Sequence, residues 1–375
     1  GSFFIAANYI GAFSPTETEA NNWAAGWTFR LFDAPPCPTG TVEGSFGGER
    51  QCTLSGTYNN DLRLARGNIY RLSGRVNIGT DVGTAGTGGD PAVLTIDGGV
   101  TIYGASGSDY LVVNRGSQIF ANGTRSAPVT MTSLNDLTNS QADPINAFGE
   151  WGGLVILGRA PIGNCNTAVA AGTATCQQEV EGIAGTPAIY GGDVANDNSG
   201  RLNYLRVKFA GFPLPGTAGN ELNGITFGGV GSATDVQYIQ VHNNADDGVE
   251  FFGGNVNVRY LVLTGNDDDS IDWDAGYVGN IQFAVVIQRT AGGDRIIDVA
   301  ICRPADDVLL TTANGIILGD GRVDPLDVAE RLVQQPLGVP RELRVCDRHV
   351  VGHEDDRVPG RAQVAELDDS GDIDV

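Results

Sequence analysis

NGITFGG (Asn223 to Gly229), DGVEFFGG (Asp247 to Gly254) and DSIDWDAG (Asp269 to Gly276) are three versions of one short pattern. Aligned on an apolar, a polar and an aromatic residue, they become Ile225/Thr226/Phe227, Val249/Glu250/Phe251 and Ile271/Asp272/Trp273, 24 and then 22 residues apart. A second set of strand-like segments alternates with these rungs: Asn203 to Val207, Gln237 to Val241, Arg259 to Leu263 and Gln282 to Val286. Their aromatics fall at Tyr204, Tyr238, Tyr260 and Phe283. Two short strands per repeat, separated by Gly, Asn and Asp turns, are the signature of a solenoid built of β-strands.

The expected fold is therefore all-β, a right-handed parallel β-helix. Each coil climbs only ~4.8 Å, so equivalent positions of successive coils stack. Ile225, Val249 and Ile271 are expected inside, with Phe227, Phe251 and Trp273 beside them. Thr226, Glu250 and Asp272 are expected to form one outward column, next to a second column of Asn223, Asp247 and Asp269 in the preceding turn.

Working outward, the chain divides into an aromatic-rich cap region at 1–60, the β-helix at 61–297 and an irregular acidic and Arg-rich tail at 298–375. The cap set is Phe3, Phe4, Tyr9, Phe13, Trp23, Trp27, Phe29 and Phe32, with a short helix expected from Ala20 to Ala25. A first coil has no neighbour below it, so its apolar end needs such a cover. Trp151 to Gly158 (WGGLVILG) reads as a buried rung. The 54 glycines suit tight stacked turns. No apolar run approaches the ~20 residues of a membrane span.

Six cysteines are present; Cys37 with Cys52 and Cys165 with Cys176 each close a short loop without the CxxC spacing of a zinc or redox motif. Two disulfides and a secreted, extracellular or cell-surface setting are the expectation. The absence of a leader then fits a processed chain. Cys302 and Cys346 have no clear partner assignment. The formal charge of −22 argues against a nucleic acid and against an anionic membrane surface as partner.

Acids dominate the chemistry. Asp246, Asp247, Glu250, Asp267, Asp269, Asp272 and Asp274 crowd one edge of the repeat, with Asp268 among them. Like charges stacked at ~5 Å repel by roughly 1 to 3 kcal/mol per pair. A hard cation such as Ca²⁺, which takes six to eight oxygens, would offset that. The alternative is an Asn/Asp ladder bonded to turn backbone, its excess charge simply solvated.

An enzyme reading runs through the same edge. A pectate-lyase-like polysaccharide lyase needs a cation to acidify a uronate proton and a base to remove it. In the expected register Arg206 stacks with Gln240 and Lys208 with His242, so Lys208, Arg206 and His242 are the candidate catalytic residues. A glycoside hydrolase would use two carboxylates, a condition that Glu250 and Asp272 meet as any acidic ladder would.

Three stretches carry a resemblance: NELNGITFGGVGS (Asn220 to Ser232), YIQVHNNADDGVEFFGGNVNVRYLV (Tyr238 to Val262) and DDDSIDWDAGYVGNIQF (Asp267 to Phe283). Together with YIGAF (Tyr9 to Phe13), NWAAGWTFRLFD (Asn22 to Asp33) and EWGGLVILGRAPI (Glu150 to Ile162), they resemble secreted right-handed β-helix proteins of Bacteroidetes and Proteobacteria. Those are lipoproteins or sorting-signal-bearing surface proteins. The resemblance covers about residues 3 to 297 and implies export, with no activity to transfer onto named residues. The first expectation is a non-catalytic structural or adhesive protein, Ca-stabilised and filament-forming, that associates with itself or with a cell-surface polysaccharide. The second is the lyase.

Overall fold

The computed structural model describes residues 8–10, 12–16, 23–24, 34–181, 183, 187–212, 222–289 and 292–299, with five short strands beyond residue 300. The chain forms a parallel β-helix, and its long sheet is parallel in all but one of its pairings. The rungs pair as Ile225↔Val249↔Ile271, Thr226↔Glu250↔Asp272 and Phe227↔Phe251↔Trp273. The right hand is the one that twisted parallel strands adopt. Below these rungs the same face continues through Leu154–Leu157, Tyr110–Val113 and Arg75–Ile78.

Inside, stacking is literal. Phe227 lies on Phe251 with ring centroids 5.1 Å apart, and Phe251 lies on Tyr277 at 4.5 Å. Burying rings in columns of equivalent residues removes each from water while each meets a neighbour of its own shape.

The second set of strands bends in the middle. In Gly200–Lys208, Asp235–His242, Asn257–Thr264 and Ile281–Ile287 the aromatic is the hinge: Tyr204, Tyr238, Tyr260 and Phe283 have φ of 48°, 56°, 58° and 62°. Bulky residues rarely adopt that left-handed region. Here the cost is offset by an outer ladder, with successive centroids at 4.3, 4.4 and 5.0 Å. Tyr238→Ala removes two ring contacts and is expected to cost about 1–2 kcal/mol, read as a lower urea midpoint; an unchanged midpoint would mean that the ladder contributes nothing.

At the N-terminal end, Val42–Phe46 pairs antiparallel with Glu49–Tyr58, which then pairs parallel with Ile69–Ile78. This hairpin finishes the first coil. Of the expected helix from Ala20 to Ala25 only Trp23 and Ala24 are among the described residues, where they form a turn, and most of the cap aromatics (Phe3, Phe4, Trp27, Phe29, Phe32) lie outside them, whereas Phe13 and Trp23 pack at 5.7 Å. Cys37–Cys52 and Cys165–Cys176 are disulfides. Past position 297 the parallel pairing goes on, with Ile297–Val299 on Ile271–Trp273 and Ile317–Gly319 on Val285–Ile287. Most of the remaining tail, Cys302 and Cys346 included, lies outside the described residues. Among the described residues no helix is long and apolar enough to cross a membrane.

One expectation about the faces is corrected. Thr226, Glu250 and Asp272 do stack, but the column is covered: Thr226 is 0% and Glu250 4% exposed. An excursion over 158–197 folds back across this sheet and supplies Ile162, Val180, Ile183 and Tyr190 to a second apolar cluster that also takes in Val112, Val155 and Phe252. Thus Gly153–Leu157 is buried at every position. Such a run, without alternation, marks a strand covered on both faces.

Candidate functional site

The covered column reads Asn77, Val112, Val155, Thr226, Glu250, Asp272, Asp298 in coil order. It is apolar where the excursion packs most tightly and acidic toward the C-terminal coils. The parallel register places Glu250 beneath Asp272, and the turn before each rung adds Asp247 and Asp269.

Carboxylate oxygens of Asp247, Glu250 and Asp272 lie within 4.8 Å of one another. The Asn223 side-chain amide donates to Glu250 Oε2 and, at 3.3 Å, to Thr226 Oγ1. Asp247 Oδ1 accepts from the Asp269 backbone N–H at 3.0 Å, and Asp269 Oδ1 accepts from the Arg295 N–H at 2.5 Å. These coil-to-coil bonds are the Asp ladder expected from the turn residues. They use only part of the acceptor capacity, and Asp272 Oδ1 is buried with no hydrogen-bond partner.

Burial raises the proton affinity of every member. Asp247 is pushed up to about 10 by burial first and then by Asp246, Asp272, Asp269 and Asp268. Glu250 is raised by burial and by Asp247, Asp272 and Glu181. Asp272 is pushed to about 6 by burial, against a hydrogen bond from Glu250 that favours its charged form. Asp269 is pushed to about 7 by burial, opposed by the Arg295 N–H. The charged groups acting most strongly on Asp247 and Glu250 are all acids.

The other expected acids divide. Asp246 joins Asp247 and Asp268 in a second group, and Asp269 joins Asp268 and Asp294 in a third. Asp267 turns instead to Arg289, 3.0 Å away. Asp274 sits at the far end of its rung, where one carboxylate oxygen accepts from the Ala275 N–H. Sequence reasoning missed Glu181, an exposed residue of the covering segment whose proton affinity is raised by partial desolvation of its carboxylate and then by Asp272 and Asp274. It also missed Asp294. Val180 and Ile183 on either side of Glu181 enter the second cluster, but they are three residues apart, so no period of two in EVEGI (Glu179 to Ile183) marked Glu181 itself.

The candidate bases stand at the other end of the same turn. Lys208 stacks on His242 and Arg206 on Gln240, in the expected register. Each has a structural partner. Lys208 Nζ is 2.6 Å from Asp136 Oδ2, in the short helix Leu134–Thr138. Arg206 Nη2 donates to Thr130 Oγ1 at 2.8 Å. His242 Nδ1 shares a 2.8 Å hydrogen bond with Thr264 Oγ1, and its ring meets Phe209 edge-on. Burial, then Lys208, lowers the His242 pKa, which favours neutral imidazole.

The family model described as a pectate-lyase-like β-helix domain matches residues 56–313. Neither the comparison with curated proteins nor that with solved structures gives a match. A match over more than half of the chain, on a fold of stacked parallel coils, means that this protein belongs to the pectate-lyase-like β-helix domain family.

Proposed function

We propose that the protein is a non-catalytic extracellular or cell-surface β-helix, structural or adhesive, whose covered acids hold Ca²⁺ as a brace. One observation carries this reading: Asp247, Glu250 and Asp272 converge within 4.8 Å, and their strongest electrostatic neighbours are further acids rather than a base. The donor set fits a hard cation. It is all oxygen, and the unpartnered Asp272 Oδ1 is an available ligand atom. Asp247, Glu250 and Asp272 would hold the ion, and its charge would replace the protons that burial otherwise forces onto them. The disulfides support an oxidising compartment. Self-association through coil ends, into filaments, and contact with a cell-surface polysaccharide are the partner classes that suit a solenoid.

Family membership favours a second reading, a polysaccharide lyase in which Lys208, Arg206 or His242 removes the proton. Against it stand the structural partners that hold all three.

A thermal melt with Ca²⁺ and with EDTA, run beside an ultraviolet assay for unsaturated uronates on mixed polysaccharides, separates the two. The expected result is stabilisation of roughly 2.7 kcal/mol at a hundredfold excess over Kd, with no lyase product. A melt indifferent to both additives would remove the brace. Product formation that EDTA abolishes would replace this reading with the lyase.

A further inference from the structure

The outer aromatic ladder lies in a groove of about 570 Å³ whose lining includes Arg206, one of the candidate bases, and none of the buried acids. One wall is a single register column. Arg206 pairs with Gln240, Gln240 with Val262, and Val262 with Val285. The wall therefore passes from cationic through neutral polar to apolar along the solenoid axis. At the cationic end the coil below has no aromatic hinge; its bend is a loop that carries Arg125 and Pro128 to the end of the ladder. Neither Arg125 nor Arg206 is in an ion pair among the described residues. In a chain of formal charge −22, two guanidinium groups without acidic partners at one end of an apolar groove are a local reversal of sign.

We propose that this groove binds a linear acyl chain with an anionic head, the head at Arg125 and Arg206 and the chain along the ladder toward Phe283 and Val285. Charge complementarity sets the direction, because a carboxylate gains charge-assisted hydrogen bonds only at the Arg end. The apolar end rewards methylenes, each of which leaves water when it lies against Val262, Val285 and the ring edges. From the Arg206 coil to the Val285 coil there are three steps, about 14 Å at the spacing of stacked strands, a length that a chain of roughly a dozen carbons covers. A sugar chain is the poorer occupant. Sugar stacking needs free ring faces, and here Tyr238 is sandwiched between Tyr204 and Tyr260 at 4.3 and 4.4 Å, with rings 1° and 5° from parallel. This site is independent of the cation at the acids.

The test is calorimetric titration of the full chain with sodium dodecanoate below its micelle concentration, with dodecyltrimethylammonium as a chain of equal length and opposite head. Expected is saturable one-to-one binding of dodecanoate, at least about tenfold tighter than the ammonium amphiphile. Arg125→Glu, at an exposed position, should weaken dodecanoate about tenfold and bring the two heads to parity. Val262→Asp should weaken both amphiphiles. No saturable binding, equal affinity for both heads in the unmodified protein, or an Arg125→Glu titration identical to it would each overturn the proposal. So would displacement of dodecanoate by a neutral oligosaccharide, which would assign the groove to glycans.

Discussion

Asp247→Asn is expected to raise the melting temperature of the calcium-free protein at pH 8 and to abolish its response to calcium. Asp247 is buried among acids that push its proton affinity up to about 10. In the unfolded chain it ionises near the usual ~3.9. Below that value it is neutral in both states and costs nothing. As pH rises, the unfolded state releases its proton first, so stability drains away until the folded pKa is reached. Asp272 and Asp269 have the same sign over a narrower window, ending near 6 and 7. The unmodified protein in EDTA should therefore melt progressively lower from about pH 4 to pH 8. Asparagine keeps the oxygen that accepts from the Asp269 N–H and never ionises. A gain on the order of 2 kcal/mol at pH 8 follows, or roughly 2–3 °C in Tm for a chain of this length. Calorimetric scans from pH 4 to 9 with EDTA and with Ca²⁺ would show it. A variant less stable than the parent in EDTA at pH 8 would contradict the whole electrostatic account.

Arg115→Ala should release the excursion that covers the acids. Arg115 is 1% exposed, and its guanidinium is satisfied on every side. Nε and Nη2 reach the two Asp81 carboxylate oxygens at 2.7 and 2.6 Å, Nη1 donates to the Gly191 carbonyl at 2.9 Å, and Nη2 also reaches Gln177 at 3.1 Å. The residue thus ties a turn of the β-helix to both ends of the segment that carries Val180 and Ile183. Deleting it leaves the buried Gly191 carbonyl without its donor, while the partly exposed Asp81 is rehydrated, and should cost about 2–3 kcal/mol. Lysine should rescue only in part, since an ammonium cannot form the two-pronged contact. Thermolysin cleavage within 164–187, together with a lower melting temperature, is the expected readout. With the cover open, water returns to the acid column and the pH dependence described for Asp247 should flatten. A variant as resistant to protease as the parent would show that the second apolar cluster holds the excursion without Arg115.

The coil period, the pairing of Thr226, Glu250 and Asp272, and the stacking of Lys208 on His242 were legible in the sequence, because a solenoid makes position within the repeat equivalent to position in space. The two disulfides were legible for a different reason, since each pair is only 15 or 11 residues apart and closes a short local loop whatever the coils do. The outer environment of the column was not. Whether Glu250 meets water depends on the residues 158–197, which belong to no repeat and whose path obeys no period. The aromatic hinges were likewise visible as a column of residues but not as a column of left-handed conformations, because their backbone cost is balanced only by rings on other coils. Sequence alone thus determined which residues are vertical neighbours. Tertiary structure decided which of those neighbours are buried, and so which acids must share protons or a cation, because burial is set by segments far apart along the chain.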